Sequence, residues 1–393
     1  MPAPLDGIKI LDFTRFQNGP HATVMLSDLG ADVLKVERPG DGDPGRALGR
    51  QPDGFCSYFE ALDRGKRSIT LDLGSDEGRA IAYKLAEDAD VITENFRPGV
   101  MDRLQLGYED FRKVNPMVIY AVNSGFGPKG PWAQQGSFDV VAQGMSGAMV
   151  MQGGGPGEEP AHIAWGLADQ VGSMIFAYGI LGAIIARERH GVGQKVDVSQ
   201  LGAMMTLQTL SVTPFLHTGT QNPRPPRATA AFTYYQAGDG LWLTVGVLTP
   251  KFWPGLCRAL DRDDLLTDER SADAFARAAN RDWLLAELTA VFATQPREHW
   301  LARMGEEEVP SGPVHDYAGV IAESQVWDND YLIELEHPHF EGHRAVGTPL
   351  SFSETPARVQ GPAPELGQHT EETLLELGYD WDQITALREA DVI

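Results

Sequence analysis

Cysteine is nearly absent from this chain. Cys56 and Cys257 are the only two in 393 residues, far apart and outside any CxxC or Cys/His spacing. That excludes a disulfide framework and a zinc signature, and two reduced thiols fit a cytoplasmic setting. Basic residues are also in short supply, 32 Lys and Arg against 55 Asp and Glu, for a formal net charge of −23. Such a field repels nucleic acid and anionic membrane over most of the surface, so neither is expected as a partner. Any anionic ligand has to be met by a local basic pocket. The opening MPAPLDGIKILDF lacks a basic stretch followed by an apolar run and a small-residue cleavage site, so no export is expected. The apolar run from Val171 to Ala186 covers 16 residues, short of the ~20 that cross a bilayer, and reads as a buried helix.

What is present supports a full core: 42% of residues are hydrophobic, and the length suits about two domains. The first half alternates short apolar strands with helical stretches. Ile8–Phe13, a helix over Pro20–Leu29 stopped by Gly30, and Asp32–Glu37 make one βαβ unit. Strands at Ser68–Leu73, Val91–Glu94 and Val118–Val122 extend the pattern, with helices over Asp76–Asp88 and near Glu109–Val114. A further strand, Gln194–Ser199, precedes a helix to about Leu216. The expected fold class is therefore α/β, a Rossmann-like large domain joined to a smaller α+β domain. Residues 1–221 form the first part of the large domain and 228–308 the small domain. The return connection and C-terminal part, 309–393, complete the large domain. The boundary is the proline-rich connector Asn222 to Arg227; the small domain opens on a strand pair, Phe232–Gln236 and Leu241–Val247, around Gly238-Asp239-Gly240.

The first βα turn, Thr14 to Pro20, is not GxGxxG, so NAD is not expected. In HPHFEGH, Pro338 breaks any helical face across His337, His339 and His343, and no metal site is expected. Gly153 to Gly157 reads as a mobile connection, and as a lid if it has a function.

The most informative residue is Asp169. It opens an apolar helical run in which Ser173 and Tyr178 are the only hydroxyls before Arg187. Asp in that place is a common N-cap. The same helix end would also keep a carboxylate ionised, fixed and therefore nucleophilic.

Several phrases together resemble the family III CoA-transferases: Pro4-Leu5-Asp6-Gly7 before ILDF, the run Leu29 to Gly40, Glu94 to Gly99, Ser124 to Gly127, Gly193-Gln194 before KVDVS, and Leu366 to Glu372. They occur in family order across nearly the whole chain. The resemblance implies an interlocked homodimer. It implies an acyl-CoA thioester and a carboxylic acid as substrates, with Asp169 as the nucleophile that passes through an acyl anhydride and an aspartyl-CoA thioester. Gln17 is implied as an oxyanion partner, with coenzyme A held by Phe16, Asn18, Arg38, Leu71, Asn95, Phe96, Arg97 and Arg103. Gly74 departs from the lysine often found there. Two alternatives stay open: an α-methylacyl-CoA racemase-like isomerase, disfavoured because Phe138 of Gly136-Ser137-Phe138-Asp139 stands where a proton-shuttling histidine is needed, and a non-catalytic acyl-CoA-binding protein.

Overall fold

The computed structural model describes residues 1–221 and 227–393, so the connector read over Asn222–Arg227 lies, apart from Arg227, outside the described residues. The chain divides into two compact units, one holding 1–153, 159–221 and 327–393, the other 154–158 and 222–326.

The large unit is built on six parallel strands: β1 (Lys9–Asp12), β2 (Asp32–Glu37), β3 (Arg67–Thr70), β4 (Val91–Glu94), β5 (Ile119–Ser124) and β6 (Gln194–Ser199). Their order is β3-β2-β1-β4-β5-β6, with registers such as Ile10 opposite Val33 on one side and Val91 on the other. The central strands are apolar on both faces because helices cover both, as an all-parallel sheet requires. The helices that matter below are α1 (Asn18–Asp28), α2 (Ser57–Asp63), α3 (Asp76–Glu87), α4 (Asp139–Met145), α5 (Leu167–His190) and α6 (Gln200–Leu207). Gly30 ends the first helical segment at φ 100, a left-handed stop that a residue with a Cβ rarely adopts. Ser75 caps α3, its Oγ accepting the Gly78 N–H at 3.0 Å.

One face of the sheet packs Ile10, Val33, Val91 and Ile119 against Ala22 and Leu26 of α1 and Phe176, Ile180 and Ile184 of α5. The other packs Leu11, Leu34, Ile92 and Tyr120 against Ile81 of α3 and against Leu374 and Ile384 of the closing helices Thr370–Glu376 and Trp381–Glu389. At 24 residues α5 exceeds the run read from the sequence and is long and apolar enough to span a bilayer by length and composition. Only one stripe of it is buried, and Met174, Tyr178 and Ile185 are exposed, so the expectation of a fully buried helix holds for one side only.

The small unit carries an antiparallel sheet of β7 (Phe232–Gln236), β8 (Trp242–Gly246) and β9 (Ser311–Pro313). Tyr235, Leu243 and Val245 face a core completed by Trp253, Leu256, Leu288, Phe292 and Trp300. Ser311–Pro313, read above as a return connection, pairs with Leu243–Val245. It does so as an edge strand, where a proline is tolerated.

Candidate active site

In an open parallel sheet the ligand crevice lies beyond the carboxyl ends of the strands, where the strand order reverses. Here that point lies between β1 and β4. The segments leaving β1, β4, β5 and β6 there enclose a cavity of about 360 Å³ within the large unit. Phe16, Gln17, Asn18, Asn95, Phe96, Arg97 and Asp169 all line it, so seven of the ten expected site residues come together. Arg38, Leu71 and Arg103 do not. Leu71 is 1% exposed and packs in the core, while Arg38 and Arg103 stand on the surface, Arg38 with Asp41 3.9 Å away. A larger hollow of about 960 Å³ lies between His337–Phe340 and Gln360–His369, but it contains none of the expected residues.

Asp169 is the one carboxylate among the residues lining the smaller cavity. It is not the N-cap expected from sequence. Trp165 (φ 66) and Gly166 (φ 66) form a left-handed turn, α5 begins at Leu167, and Asp169 sits inside its first turn. The left-handed backbone at Gly166 favours glycine, and a Cβ there would come within 2.8 Å of Gln17 Nε2 and push that amide aside. The cap comes from another helix: Asp139, at the start of α4, accepts the Ala168 N–H at 2.6 Å and the Asp169 N–H at 3.3 Å on Oδ1. Its Oδ2 accepts from Gln143 Nε2 at 2.6 Å and lies 3.4 Å from His162 Nε2.

This arrangement works against the ionised form that the helix end was expected to favour. Burial, then the nearby charge of Asp139, pushes the Asp169 carboxyl up to about 7, against a hydrogen bond from Gln200 that favours the carboxylate. Gln200 Nε2 donates to Asp169 Oδ1; it is 3% exposed and is the first residue after β6. Ser173 Oγ lies 2.7 Å from both Asn18 O and Asp169 O, tying α5 to α1. The Tyr58 phenol on α2 is held well above its usual range, by burial first and then by the charges of Asp169, Asp43 and Asp63.

The loop after β1 is held by Asn95, whose Oδ1 accepts the Arg15 N–H at 2.8 Å and whose Nδ2 donates to Arg15 O at 2.8 Å and Asn18 Oδ1 at 2.9 Å. The Arg15 guanidinium lies 4.3 Å above the Phe96 ring. Gln17 Nε2 donates to Trp165 O at 3.0 Å, so the amide expected to face an oxyanion is engaged with the turn before Asp169. Phe138 lines the cavity edge-on to Phe16, ring centroids 6.3 Å apart, and no histidine is among the lining residues. Gln200 and Asp139 were missed as site residues. Gln200 was within reach of sequence reasoning, since it directly follows a parallel strand's carboxyl end. Asp139 had no such signal, because its partners are 29 and 30 residues away.

Among the described residues, no group of three or more His, Cys, Asp and Glu side chains is placed to hold a metal ion. His337 and His339 instead pair with Glu60 at 3.2 Å and Glu365 at 2.7 Å. Both cysteines are free.

The profile of CoA-transferase family III matches residues 5–370. The chain is 35% identical to a succinyl-CoA:mesaconate CoA-transferase of Haloarcula marismortui over 388 residues, covering 96% of this chain and 97% of that protein. It is 38% identical to an acetyl-CoA:oxalate CoA-transferase of Acetobacter aceti over 318 residues, covering 80% and 82%. Among solved structures, a CAIB/BAIF family protein from Brucella suis superposes with a TM-score of 0.85 at 33% identity, over 96% of this chain and all of that one.

Proposed function

The chain belongs to CoA-transferase family III, and from that premise we propose that it moves coenzyme A from an acyl-CoA to a carboxylic acid through Asp169. The observation that carries this reading is the placement of Asp169. It is the one carboxylate lining a crevice at the switch point of the sheet, oriented by Gln200 and by a helix end that Asp139 caps.

The Asp169 carboxylate attacks the thioester carbonyl, and CoA leaves as the thiolate, giving a mixed anhydride. The thiolate returns to the aspartyl carbonyl, releases the first acid as its carboxylate, and leaves an aspartyl-CoA thioester. The incoming acid attacks that thioester to form a second anhydride, and the thiolate takes the new acyl group, restoring Asp169. Each intermediate keeps an activated carbonyl, so no thioester energy is lost unless water enters. Phe16, Phe96 and Phe138 give the cavity apolar walls that suit this need. A carboxyl raised to about 7 is a more basic nucleophile than an exposed aspartate and still reaches its ionised form in the neutral range.

The Gln17 amide, as an oxyanion donor, would have to turn from Trp165 O during the reaction. Phe16, Asn18, Asn95, Phe96 and Arg97 are proposed to hold the pantetheine arm and the near phosphates. Arg38 and Arg103 would meet the outer part of the ligand, and Leu71, sealed in the core, is withdrawn from the ligand set. No metal or nicotinamide enters the chemistry. A homodimer belongs to the same proposal, since Met174, Tyr178, Leu210 and Leu216 expose apolar surface that a second copy would cover. A cytoplasmic location goes with it.

The test is mass spectrometry of acyl-CoA products after incubation with a panel of acyl-CoA donors and carboxylic acids, alongside α-carbon exchange in heavy water. A new acyl-CoA that depends on the added acid is the expected result. Rapid enzyme-dependent α-exchange without an acid would replace the transferase with an isomerase.

A further inference from the structure

Beneath the cavity lies a set of charged side chains that the transfer steps leave unused. Lys35 on β2 is fully buried, as are Lys66, Asp12, Asp43 and Asp63 around it. Burial on that scale is costly for a charge, and these five meet it by pairing with one another. Lys66 Nζ donates to Asp63 Oδ1 at 2.7 Å, Asp12 Oδ2 at 3.2 Å and Pro20 O at 3.0 Å. Lys35 Nζ lies 3.2 Å from Asp63 Oδ1.

Two further contacts of Lys35 reach the active-site loop. Its Nζ donates to Thr14 O at 2.9 Å and lies 2.8 Å from Asp43 Oδ2, an ion pair set off the hydrogen-bond direction. The other Asp43 oxygen, Oδ1, accepts the Phe16 N–H at 3.1 Å and the Gly45 N–H at 2.8 Å. Phe16 itself stands at φ 62, a left-handed backbone that is strained for an aromatic residue and persists only where the surroundings enforce it. The chain of contacts Thr14 O, Lys35, Asp43, Phe16 N–H therefore brackets Arg15 and fixes the peptide that leads into the strained residue. Immediately after it come Gln17 and Asn18, both facing the cavity.

We propose that Lys35 and Asp43 form a brace that holds Phe16 in its left-handed conformation and so positions Gln17 and Asn18 for the transfer reaction. The catalytic half of this inference rests on the function proposed above; the structural half does not. Both are positioning residues, and neither lines the cavity.

The experiment combines hydrogen–deuterium exchange of the peptide over residues 13–18 with steady-state kinetics on the full chain. Asp43→Ala should raise exchange in that peptide about tenfold and lower kcat about tenfold, with KM changed by less than about threefold. Should that variant fail to fold, Asp43→Asn keeps the size, removes the charge facing Lys35, and should show the same changes at about threefold. The discriminating step is a double-mutant cycle with Phe16→Gly, because glycine adopts the left-handed backbone without strain. That substitution lowers activity by itself, since Phe16 lines the cavity. On that background the further loss from the Asp43 substitution should shrink to under about twofold. Equal losses on both backgrounds, or unchanged exchange in the loop, would overturn the brace. Raised exchange in a protein with no CoA transfer would uphold the brace and count against the proposed function.

Discussion

The two units of this chain handle charge in opposite ways. In the small unit the charged side chains pair at the surface: Arg262 with Asp264 and Glu287, Arg270 with Asp268, Arg303 with Asp261. Its core is mainly apolar, with the Tyr235 hydroxyl donating to Ala230 O and the Trp300 indole to Phe292 O. In the large unit Lys35, Lys66, Asp12, Asp43 and Asp63 are buried together, and Asp169 is half-buried. Surface pairs contribute little, because water screens them and two long side chains must be ordered. Buried charges cost stability unless every partner is in place, so they persist where they specify something. Here they lie under the loop that carries Gln17 and Asn18. The unit with the expensive electrostatics is the one that holds the proposed site.

The largest expected effect comes at the point where that cost turns into function. Asp169→Asn should fold and lose CoA transfer by about three orders of magnitude or more, because the amide keeps the shape and removes the nucleophile. Initial rates measured beside thermal melting check both halves. Near-wild-type turnover of a non-deamidated variant would end the nucleophile assignment.

The comparison of the units is sharpened by paired substitutions under denaturant. Lys66→Met leaves Asp12 and Asp63 short of a buried cation and should cost about 3–5 kcal/mol of unfolding free energy. Arg303→Ala, at an exposed pair, should leave the unfolding midpoint where it is. Similar shifts for the two would remove the contrast.

A smaller effect separates stability from activity through pH. The Asp169 carboxyl titrates near 7 in the folded chain against 3.8 when unperturbed, so folding favours its neutral form. That contribution is complete below pH 3.8 and is lost as pH rises through 7. Asp169→Asn should therefore match wild type in stability near pH 4 and exceed it at pH 8; the full shift corresponds to about 4 kcal/mol, which solvent screening of a half-buried carboxyl reduces to on the order of 2 kcal/mol. Turnover runs the other way, rising between pH 6 and 8 as the carboxylate forms, with an inflection near 7. A flat rate over that interval would show that Asp169 is already ionised.

The smallest effect is expected outside the cavity. Arg38 is exposed, and Arg38→Ala should weaken CoA binding by about 1.5 kcal/mol, the low end for a charge-assisted hydrogen bond. Calorimetry with CoA and with dephospho-CoA gives the answer. Unchanged affinity for both would remove Arg38 from the ligand.

Much of the fold was legible in the sequence because its signals are local. Ile8–Phe13 and Asp32–Glu37 are short apolar runs and Gly30 ends a helix, so the first βαβ unit was placed within a residue or two. The strand Ser311–Pro313 was not seen, since three residues, one of them proline and preceded by Pro310, carry no period and pair only through distant Leu243–Val245. At the site, Asp169 stood out as a carboxylate opening an apolar helix. Its raised carboxyl was not legible, because burial, the larger cause, and the charge of Asp139, which caps the helix from another element, both come from tertiary packing. The left-handed turn at Trp165 and Gly166 and the buried lysines beneath Phe16 depend on tertiary contacts in the same way.

The central claim is that Asp169 becomes an activated acyl group during turnover. The most direct measurement is to mix the protein with an acyl-CoA and its acceptor acid, quench with hydroxylamine, and map the modified peptide by mass spectrometry. The account predicts a hydroxamate on Asp169 that forms only when acyl-CoA is present and is absent from Asp169→Asn. Sustained CoA transfer with no label on Asp169, or with the label on another carboxylate, would contradict it.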